Sequence, residues 1–275
     1  MRGFAAASFL TLASLVQAGA AGAQDASNVE AIAPMLQAED ARQWAPGVLE
    51  AGTLSPEPLV RRSAAMSIGR IGDLRGTALL LPMLQDRDST VQTTASFALG
   101  LLRDTAAVGP LTVRLAALPA PTLETAREIV TALAKTGGPR AADVVTRVLN
   151  GTSNTTVSEN LDVLVRQAAL ESWRLGSASP VQQLIALSQT TDDELRWRVI
   201  FSLGQLRASA AGSTLLAALQ DKHPLVRSYA ARTLTASYVA ASGLDAESAL
   251  QLLVKCLRDE NGGVRIEALR ALGSY

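Results

Sequence analysis

Histidine, cysteine and aromatic residues are scarce in this 275-residue chain, and their scarcity limits the chemistry that it can perform. His223 is the only histidine, Cys256 is the only cysteine, and aromatic residues make up 4% of the sequence. A catalytic triad or a histidine-rich metal site needs several such side chains together, and a disulfide needs two cysteines. No glycine-rich phosphate-binding motif occurs either. We therefore predict a non-enzymatic chain with no metal site and no cofactor.

The chain also lacks an excess of charge of either sign. It has 25 lysines and arginines against 25 aspartates and glutamates, and no block of basic residues. Nucleic acids and anionic membranes both attract proteins with a concentrated positive field. We therefore expect neither as a partner.

A central apolar run long enough to cross a bilayer is missing as well. The one pronounced apolar stretch, 4–16, lies near the N-terminus, after Arg2 and before a series of small residues that ends at Ala23. This order is typical of a secretory signal peptide. The alternative is an N-terminal helix or membrane anchor, but the run falls short of the about 20 residues that a span requires. We predict that residues 1–23 are a signal peptide cleaved after Ala23, and that the mature protein is exported, periplasmic or secreted, without a membrane span.

What the chain does contain is a repeated pattern, seen first in residues 60–72. Each copy has an anchor residue, usually arginine at +1, a small or aliphatic residue at +4, a large apolar residue at +8 and often glycine at +9. The anchors are Val60, Val91, Thr125, Val165, Leu195, Val226 and Val264, of which the third belongs to a degenerate copy. Their mean spacing is 34 residues. Self-similarity at such a period indicates an array of stacked helical repeats.

Each repeat is predicted to contain two helices, which gives an all-α solenoid of stacked antiparallel helix pairs. Apolar residues at 0, +4 and +8 form one stripe on the first of them, helix A. Acidic residues three positions before the anchor are predicted to cap helix A, and glycines near its end to take the left-handed conformation that follows a last turn. The predicted caps are Glu57, Asp88, Asp162 and Asp192, and the predicted end glycines are Gly69 or Gly72, Gly100, Gly176, Gly204 and Gly273. Later apolar runs predict helix B over 78–84, 108–115, 141–149, 181–187, 210–219 and 246–257.

The pattern divides the chain after the signal peptide into two parts. Residues 24–53 precede the first repeat and are predicted to form N-terminal capping helices. Residues 54–275 are predicted to form the array of about six and a half repeats, whose last member lacks a helix B. Either the chain continues past Tyr275, or a partner covers that end. A polar insertion at 150–160 contains N-glycosylation patterns at Asn150 and Asn154, and residues 237–247 lengthen another turn.

Three junctions between repeats share a further pattern. They are Leu84-Gln-Asp-Arg-Asp-Ser-Thr-Val91, Leu219-Gln-Asp-Lys-His-Pro-Leu-Val226-Arg227 and Leu257-Arg-Asp-Glu-Asn-Gly-Gly-Val264-Arg265. This pattern resembles HEAT repeats, and most of all the short bacterial form known as PBS-lyase HEAT-like repeats. The resemblance covers roughly residues 54–275. It implies a right-handed superhelix whose extended concave face, formed by the B helices, binds other proteins.

Two charged groups in the repeats allow a structural and a functional interpretation. The arginines at +1 are Arg61, Arg166, Arg196, Arg227 and Arg265. They either form a ladder with aspartates in the turns between repeats or present a basic stripe to an acidic ligand. The acidic run 192–194 is either a helix start or a calcium site, and the alternating spacing of a calcium loop is missing. We expect the structural interpretation in both cases.

Aromatic residues are better indicators of a binding surface. Trp173 stands at +8, a core offset, and is expected to be structural. Trp197 stands at +2, about 200° around the helix from its anchor, so it faces away from the core of its repeat. Arg198 and Phe201 adjoin it in sequence. We predict that Trp197, Arg198 and Phe201 contact a partner, with burial of Trp197 against a neighbouring repeat as the alternative.

These observations together predict an exported, non-catalytic scaffold that binds other proteins through an extended repeat surface. Two alternatives remain open. One is the N-terminal array of a longer exported peptidyl-prolyl isomerase, with a cyclophilin-type domain beyond residue 275. The other is the handling of a cofactor in the manner of PBS lyases.

Overall fold

The computed structural model describes residues 26–118, 122–151 and 161–275, and the regular secondary structure in these ranges is entirely helical. The chain forms two compact bodies, one up to Leu102 and one from Arg103 onwards. The N-terminal body contains α1 (26–40), α2 (Pro46–Thr53), α3 (Pro58–Ile71), α4 (Gly76–Met83) and α5 (Ser89–Leu102). The C-terminal body contains α6 (Val108–Ala117), α7 (Leu123–Thr136), α8 (Gly138–Leu149), α9 (Leu161–Glu171), α10 (Val181–Leu187), α11 (Asp193–Leu206), α12 (Gly212–Ala218), α13 (Pro224–Thr233), α14 (Ala236–Ala241), α15 (Ala246–Cys256) and α16 (Gly262–Leu272).

The predicted repeats are present as helix pairs. Helices A of successive repeats are α3, α5, α7, α9, α11, α13 and α16, and helices B are α4, α6, α8, α10, α12 and α15. Within each body consecutive A helices pack side by side, as α11 does on α13 and α13 on α16. The all-α fold of stacked helix pairs, typical of an α-solenoid, is therefore confirmed. Assignment of 24–53, which includes α1 and α2, as a cap stays a prediction.

The apolar stripe that defines helix A forms the core of each repeat. All anchors are buried except Val165, which is partly exposed. The +4 positions are fully buried and mostly alanine, and small residues there let helices approach closely. Cys256 at the end of α15 is also buried, and burial raises the pKa of its thiol.

Trp173 is an exception to the stripe, and its predicted place in the core is wrong. Helix α9 ends at Glu171 and continues as a 3-10 segment, Ser172–Ala178. The tighter winding turns Trp173 to a partly exposed position, where the Arg174 guanidinium lies 4.5 Å from its ring centre. Leu175 enters the core instead.

The glycines at +9 do not end helix A, which corrects their predicted role. Gly69, Gly100 and Gly204 lie inside α3, α5 and α11. A Cβ on Gly69 would come within 2.8 Å of the Ala98 Cα, and one on Gly204 would come within 2.3 Å of the Thr233 Oγ1. Gly69 and Gly204 therefore allow close packing of α3 on α5 and of α11 on α13.

The residue with left-handed backbone conformation that ends helix A stands at +12, three positions after the +9 glycine. Gly72, Arg103 and Arg207 take it, with φ of 80°, 55° and 49°. Gly176 has a positive φ of 57° but lies within the 3-10 segment, and Gly273 is right-handed with φ of −64°. The last turn of helix A is thus closed by arginine in two repeats, at a conformational cost that glycine would avoid.

Only some of the predicted acidic caps bond the helix start. The Asp88 and Asp192 carboxylates each accept the backbone N–H groups two and three residues ahead. Glu57 occupies the cap position without a side-chain bond, and Asp162 lies inside the first turn of α9. Asn261, which the prediction omits, caps α16 through the N–H groups of residues 263 and 264.

The long turn at 237–247 contains a further short helix, α14. Its Tyr238 is buried and donates a hydrogen bond from its hydroxyl to the Ala208 carbonyl at 2.7 Å. The insertion therefore packs on the end of α11 and is no simple surface loop.

Three predicted features lie outside the described residues. They are the signal peptide at 1–23, the second glycosylation pattern at Asn154, and most of the insertion at 150–160. None of the described helices has both the length and the apolar character needed to cross a bilayer.

Candidate interaction surface on α11 and α13

An aromatic cluster joins two consecutive A helices on the side away from their core. Trp197 and Phe201 lie one turn apart on α11, and Tyr229 faces them from α13. The Tyr229 ring stacks on Trp197 with centroids 5.9 Å apart, and meets Phe201 edge-on at 5.2 Å. All three rings are half-buried. The structure thus brings two of the predicted site residues together and adds Tyr229, a partner that the sequence interpretation missed.

Arg198, the third predicted residue, lies at the edge of this aromatic cluster. Its guanidinium is 4.3 Å from the centre of the Trp197 ring, and it forms a very short salt bridge with Glu194 one turn earlier. The Glu194 carboxylate also accepts the indole N–H of Trp197 at 3.2 Å. The Arg198 hydrogen bond is the main reason why the pKa of Glu194 is lowered. The Glu194 carboxylate therefore neutralises the charge of Arg198, while the guanidinium packs on the Trp197 ring and holds it in place.

A cleft of about 180 Å³ opens beside the cluster, between the C-terminal halves of α11 and α13. Its lining consists of Phe201, Gly204, Gln205, Arg207, Tyr229, Arg232 and Thr233. Gly204 has no side chain to fill this space, and Thr233 directs its hydroxyl back to the Tyr229 carbonyl at 2.9 Å. Because Gly204 has no Cβ, α11 and α13 can pack closely, and the cleft beside them stays open.

Two arginines give this cleft a positive lining. Arg207 follows the last residue of α11, donates to the Ser237 hydroxyl at 2.9 Å, and lies 5.8 Å from the ring centre of Tyr238. Arg232 is exposed on α13. Within the described part of the chain, no carboxylate forms a salt bridge with either guanidinium. The positive charge at this cleft is not compensated locally, unlike that of Arg198.

The apolar character of this face continues on the next A helix. Ile266 of α16 occupies the +2 position that Trp197 occupies on α11, and it is 52% exposed. Leu269, one turn further on, is 64% exposed. Because α16 packs on α13, the three helices present apolar side chains on the same side of their layer.

The column of arginines at +1 is a structural ladder at four of its five positions, where the first of its two interpretations is confirmed. Each rung joins the +1 arginine of one repeat to the aspartate in the following turn. The rungs are Arg61–Asp86, Arg166–Asp192, Arg196–Asp221 and Arg227–Asp259, with shortest distances of 2.7, 2.8, 2.7 and 2.7 Å. Three of them are bidentate fork contacts and are largely buried. These guanidiniums are engaged within the chain and are not a surface for an acidic ligand.

The acidic run 192–194 is likewise engaged with other groups. Asp192 caps α11 and accepts from Arg166, and Asp193 pairs with Arg196 and with Lys222 at 3.2 Å. Glu194 holds Arg198 and Trp197, so the three carboxylates point to different partners. The interpretation as a helix start is confirmed.

On the side of the B helices, an open cleft lies between the turn after α12 and α15. Lys255, Arg258 and Glu260 line it, beside aspartates that belong to rungs. Its charges are of mixed sign and lie close together. Among the described residues that line it none is aromatic, unlike the lining of the cleft between α11 and α13.

Comparison with known proteins agrees with this architecture. A sequence model of the family described as HEAT repeats matches residues 45–126, 156–234 and 181–273. No curated protein matches the chain significantly.

Among solved structures, similar folds include human deoxyhypusine hydroxylase with glycerol, at 20% identity over 88% of each chain and a TM-score of 0.36. The complex of CpcE and CpcF of phycocyanin lyase from Nostoc matches at 18% identity over 88% of each chain, with a TM-score of 0.44. An engineered protein matches at 19% identity over 82% of this chain and 94% of its own, with a TM-score of 0.42.

Proposed function

Because the chain belongs to the HEAT-repeat family, we propose that it is an exported, non-catalytic scaffold that binds another protein through α11 and α13. Repeats of this kind stack into extended surfaces whose stability comes from contacts between neighbours, which leaves exposed positions available for partners. The export part of the proposal depends on the signal-peptide pattern of residues 1–23.

The observation that carries the proposal is the aromatic cluster of Trp197, Phe201 and Tyr229. Tryptophan, tyrosine and arginine contribute most to affinity at protein interfaces. Tryptophan and tyrosine do so because they bury large areas at low entropic cost. Here such side chains are already held in place in the free protein, by ring stacking, by Arg198 and by the Glu194 bond to the indole. A surface ordered in advance loses less entropy when a partner binds.

Site-specific photo-crosslinking in the source cell tests this proposal. A photo-crosslinking amino acid at Gln205, an exposed residue beside the cleft, should give a discrete adduct whose protein partner mass spectrometry identifies. The same amino acid at Val113 on α6, which is 70% exposed, serves as the matched position on a B helix. The adduct should form in the exported fraction and only from position 205.

Purified partner should then bind the wild-type chain and be weakened by truncation of the cluster. Trp197→Ala or Tyr229→Ala should each cost at least about 2 kcal/mol of binding free energy, a loss of about 30-fold in affinity. Val113→Ala, an apolar truncation elsewhere on the same body, should leave affinity unchanged. Absence of an adduct from position 205, or equal affinity of the Trp197→Ala/Tyr229→Ala double variant, would show that this surface is not the binding site.

A further inference from the structure

The cleft beside the aromatic cluster combines two properties that select a particular kind of ligand. Arg207 and Arg232 bring positive charge to its rim, while Phe201 and Tyr229 form an apolar wall. Four of the five arginines in the ladder column already hold carboxylates of the chain. The two guanidiniums at the cleft have no such partner among the residues the structure describes.

Their geometry suits a carboxylate group. A guanidinium presents several N–H donors in one plane, and a carboxylate accepts two of them at once. The Ser237 hydroxyl bonds one terminal nitrogen of Arg207 and leaves its other donors available. The Arg232 side chain is exposed, and its guanidinium makes no hydrogen bond with the described residues. The guanidiniums of Arg207 and Arg232 at the edge of the cleft can therefore each bind one acidic side chain.

We infer that this cleft binds an acidic peptide segment of a partner protein, which places an apolar side chain against Phe201 and Tyr229 and carboxylates on Arg207 and Arg232. This inference rests on the proposed protein-binding function and specifies the chemistry of the partner. The exposed Ile266 and Leu269 on α16 extend the apolar surface along which such a segment can continue. A nucleic acid fits less well, because its binding needs an array of cations along a backbone and the chain has no excess of positive charge.

Peptide binding to a single-tryptophan variant tests the inference. Trp44→Phe and Trp173→Phe leave Trp197 as the only indole, and its stacking on Tyr229 makes its emission sensitive to ligands in the cleft. Three tryptophan-free peptides of equal length share one phenylalanine and carry glutamate, glutamine or lysine at the same positions. Anisotropy of the labelled peptides gives an independent measure of affinity.

The glutamate peptide should bind, the glutamine peptide should bind at least about tenfold more weakly, and the lysine peptide should not bind, because charge-assisted bonds are stronger than neutral ones. Arg232→Glu should reverse this order, and Arg232→Gln should reduce the preference without reversing it. Arg140→Glu on α8, another exposed arginine in the same body, is the matched control and should leave the order unchanged. Thermal melts followed by circular dichroism confirm that each variant folds.

Three results would overturn the inference. They are equal affinity for the glutamate and glutamine peptides, an unchanged order in folded Arg232→Glu, and tighter binding of a single-stranded oligonucleotide than of the glutamate peptide. The proposed function is judged separately by the adduct at position 205 and by the purified partner. A partner that depends on Trp197 but not on Arg232 would preserve the scaffold function and refute only the acidic ligand.

Discussion

The rung between Arg196 and Asp221 gives the most direct test of what holds the repeats together. Arg196 donates two bonds to the Asp221 carboxylate at 2.7 and 2.8 Å, a third to Asp193 at 2.7 Å and a fourth to the Thr190 carbonyl at 3.0 Å. Its side chain is 7% exposed and that of Asp221 is 17% exposed. Arg196→Ala would leave the Asp221 carboxylate with the His223 N–H as its remaining hydrogen-bond donor among the described residues. The perturbation therefore creates a largely buried charge without its counterion.

Removal of one member of a buried ion pair costs about 3–5 kcal/mol, and we expect a loss of this size for Arg196→Ala. Arg265 provides the control, since it stands at the same +1 position but is exposed. It donates to the carbonyls of Asp259 and Glu260 at 2.8 and 3.0 Å and has no carboxylate partner in the described residues. Arg265→Ala should therefore cost only about 1 kcal/mol.

The measurement is urea unfolding of the C-terminal body, followed by Trp197 emission in the single-tryptophan variant and by far-UV circular dichroism. A double-mutant cycle with Arg196→Ala and Asp221→Asn isolates the coupling between the two side chains, which should be about 1–3 kcal/mol. If Arg196→Ala destabilises the protein no more than Arg265→Ala does, the rungs do not stabilise the stack. They would then only set the register of one repeat on the next.

Two further predictions concern the ion-pair rungs and the glycines within helices. Hydrogen bonds from Arg61 and Arg227 lower the pKa of Asp86 and of Asp259, so the stability that these carboxylates supply above about pH 4 is lost as pH falls towards their folded pKa values. Urea midpoints should drop in this acidic range, and Asp259→Asn should flatten the dependence. Gly204→Ala places a Cβ 2.3 Å from the Thr233 Oγ1 and should cost about 1–3 kcal/mol in chemical denaturation. Gly47→Ala in α2 meets nothing within 4 Å and does not precede a proline, so it should instead raise the free energy of unfolding, by up to about 1 kcal/mol.

The fold was predictable because burial imposes the helical period on the apolar residues of every repeat. The anchors and the residues at +4 could be read from the sequence for this reason. The glycines at +9 could not, since glycine suits both a left-handed turn and a close helix crossing. Gly204 takes the second role, and Arg207, which carries no sequence signal for a positive φ, takes the first.

The surface was partly predictable for a related reason. Position +2 faces away from the core, which identified Trp197, and its neighbours Arg198 and Phe201 were predicted with it. Tyr229 was missed because it stands at +3 of the next repeat, and one helix wheel does not show which positions of adjacent helices meet. The available signal was the pair of aromatic residues at +2 and +3 of consecutive repeats, read across the packed helices α11 and α13.

The arginines of the rungs and those at the cleft lie in different environments, and the difference supports the site that we propose for an external acid. At +1 the side chain enters the turn between repeats, where an aspartate of the next repeat accepts its fork, as Arg227 and Asp259 show at 2.7 Å. Arg232 stands six residues after the anchor Val226, and Arg207 stands twelve residues after the anchor Leu195. Both arginines line the cleft on the opposite side, beyond the reach of those turns. Four of the five arginines in the column that the repeat pattern emphasises are thus held by aspartates of the chain, and Arg265 has no carboxylate partner among the described residues. The basic site that we propose lies where individual repeats depart from the pattern, beside Phe201 and Tyr229.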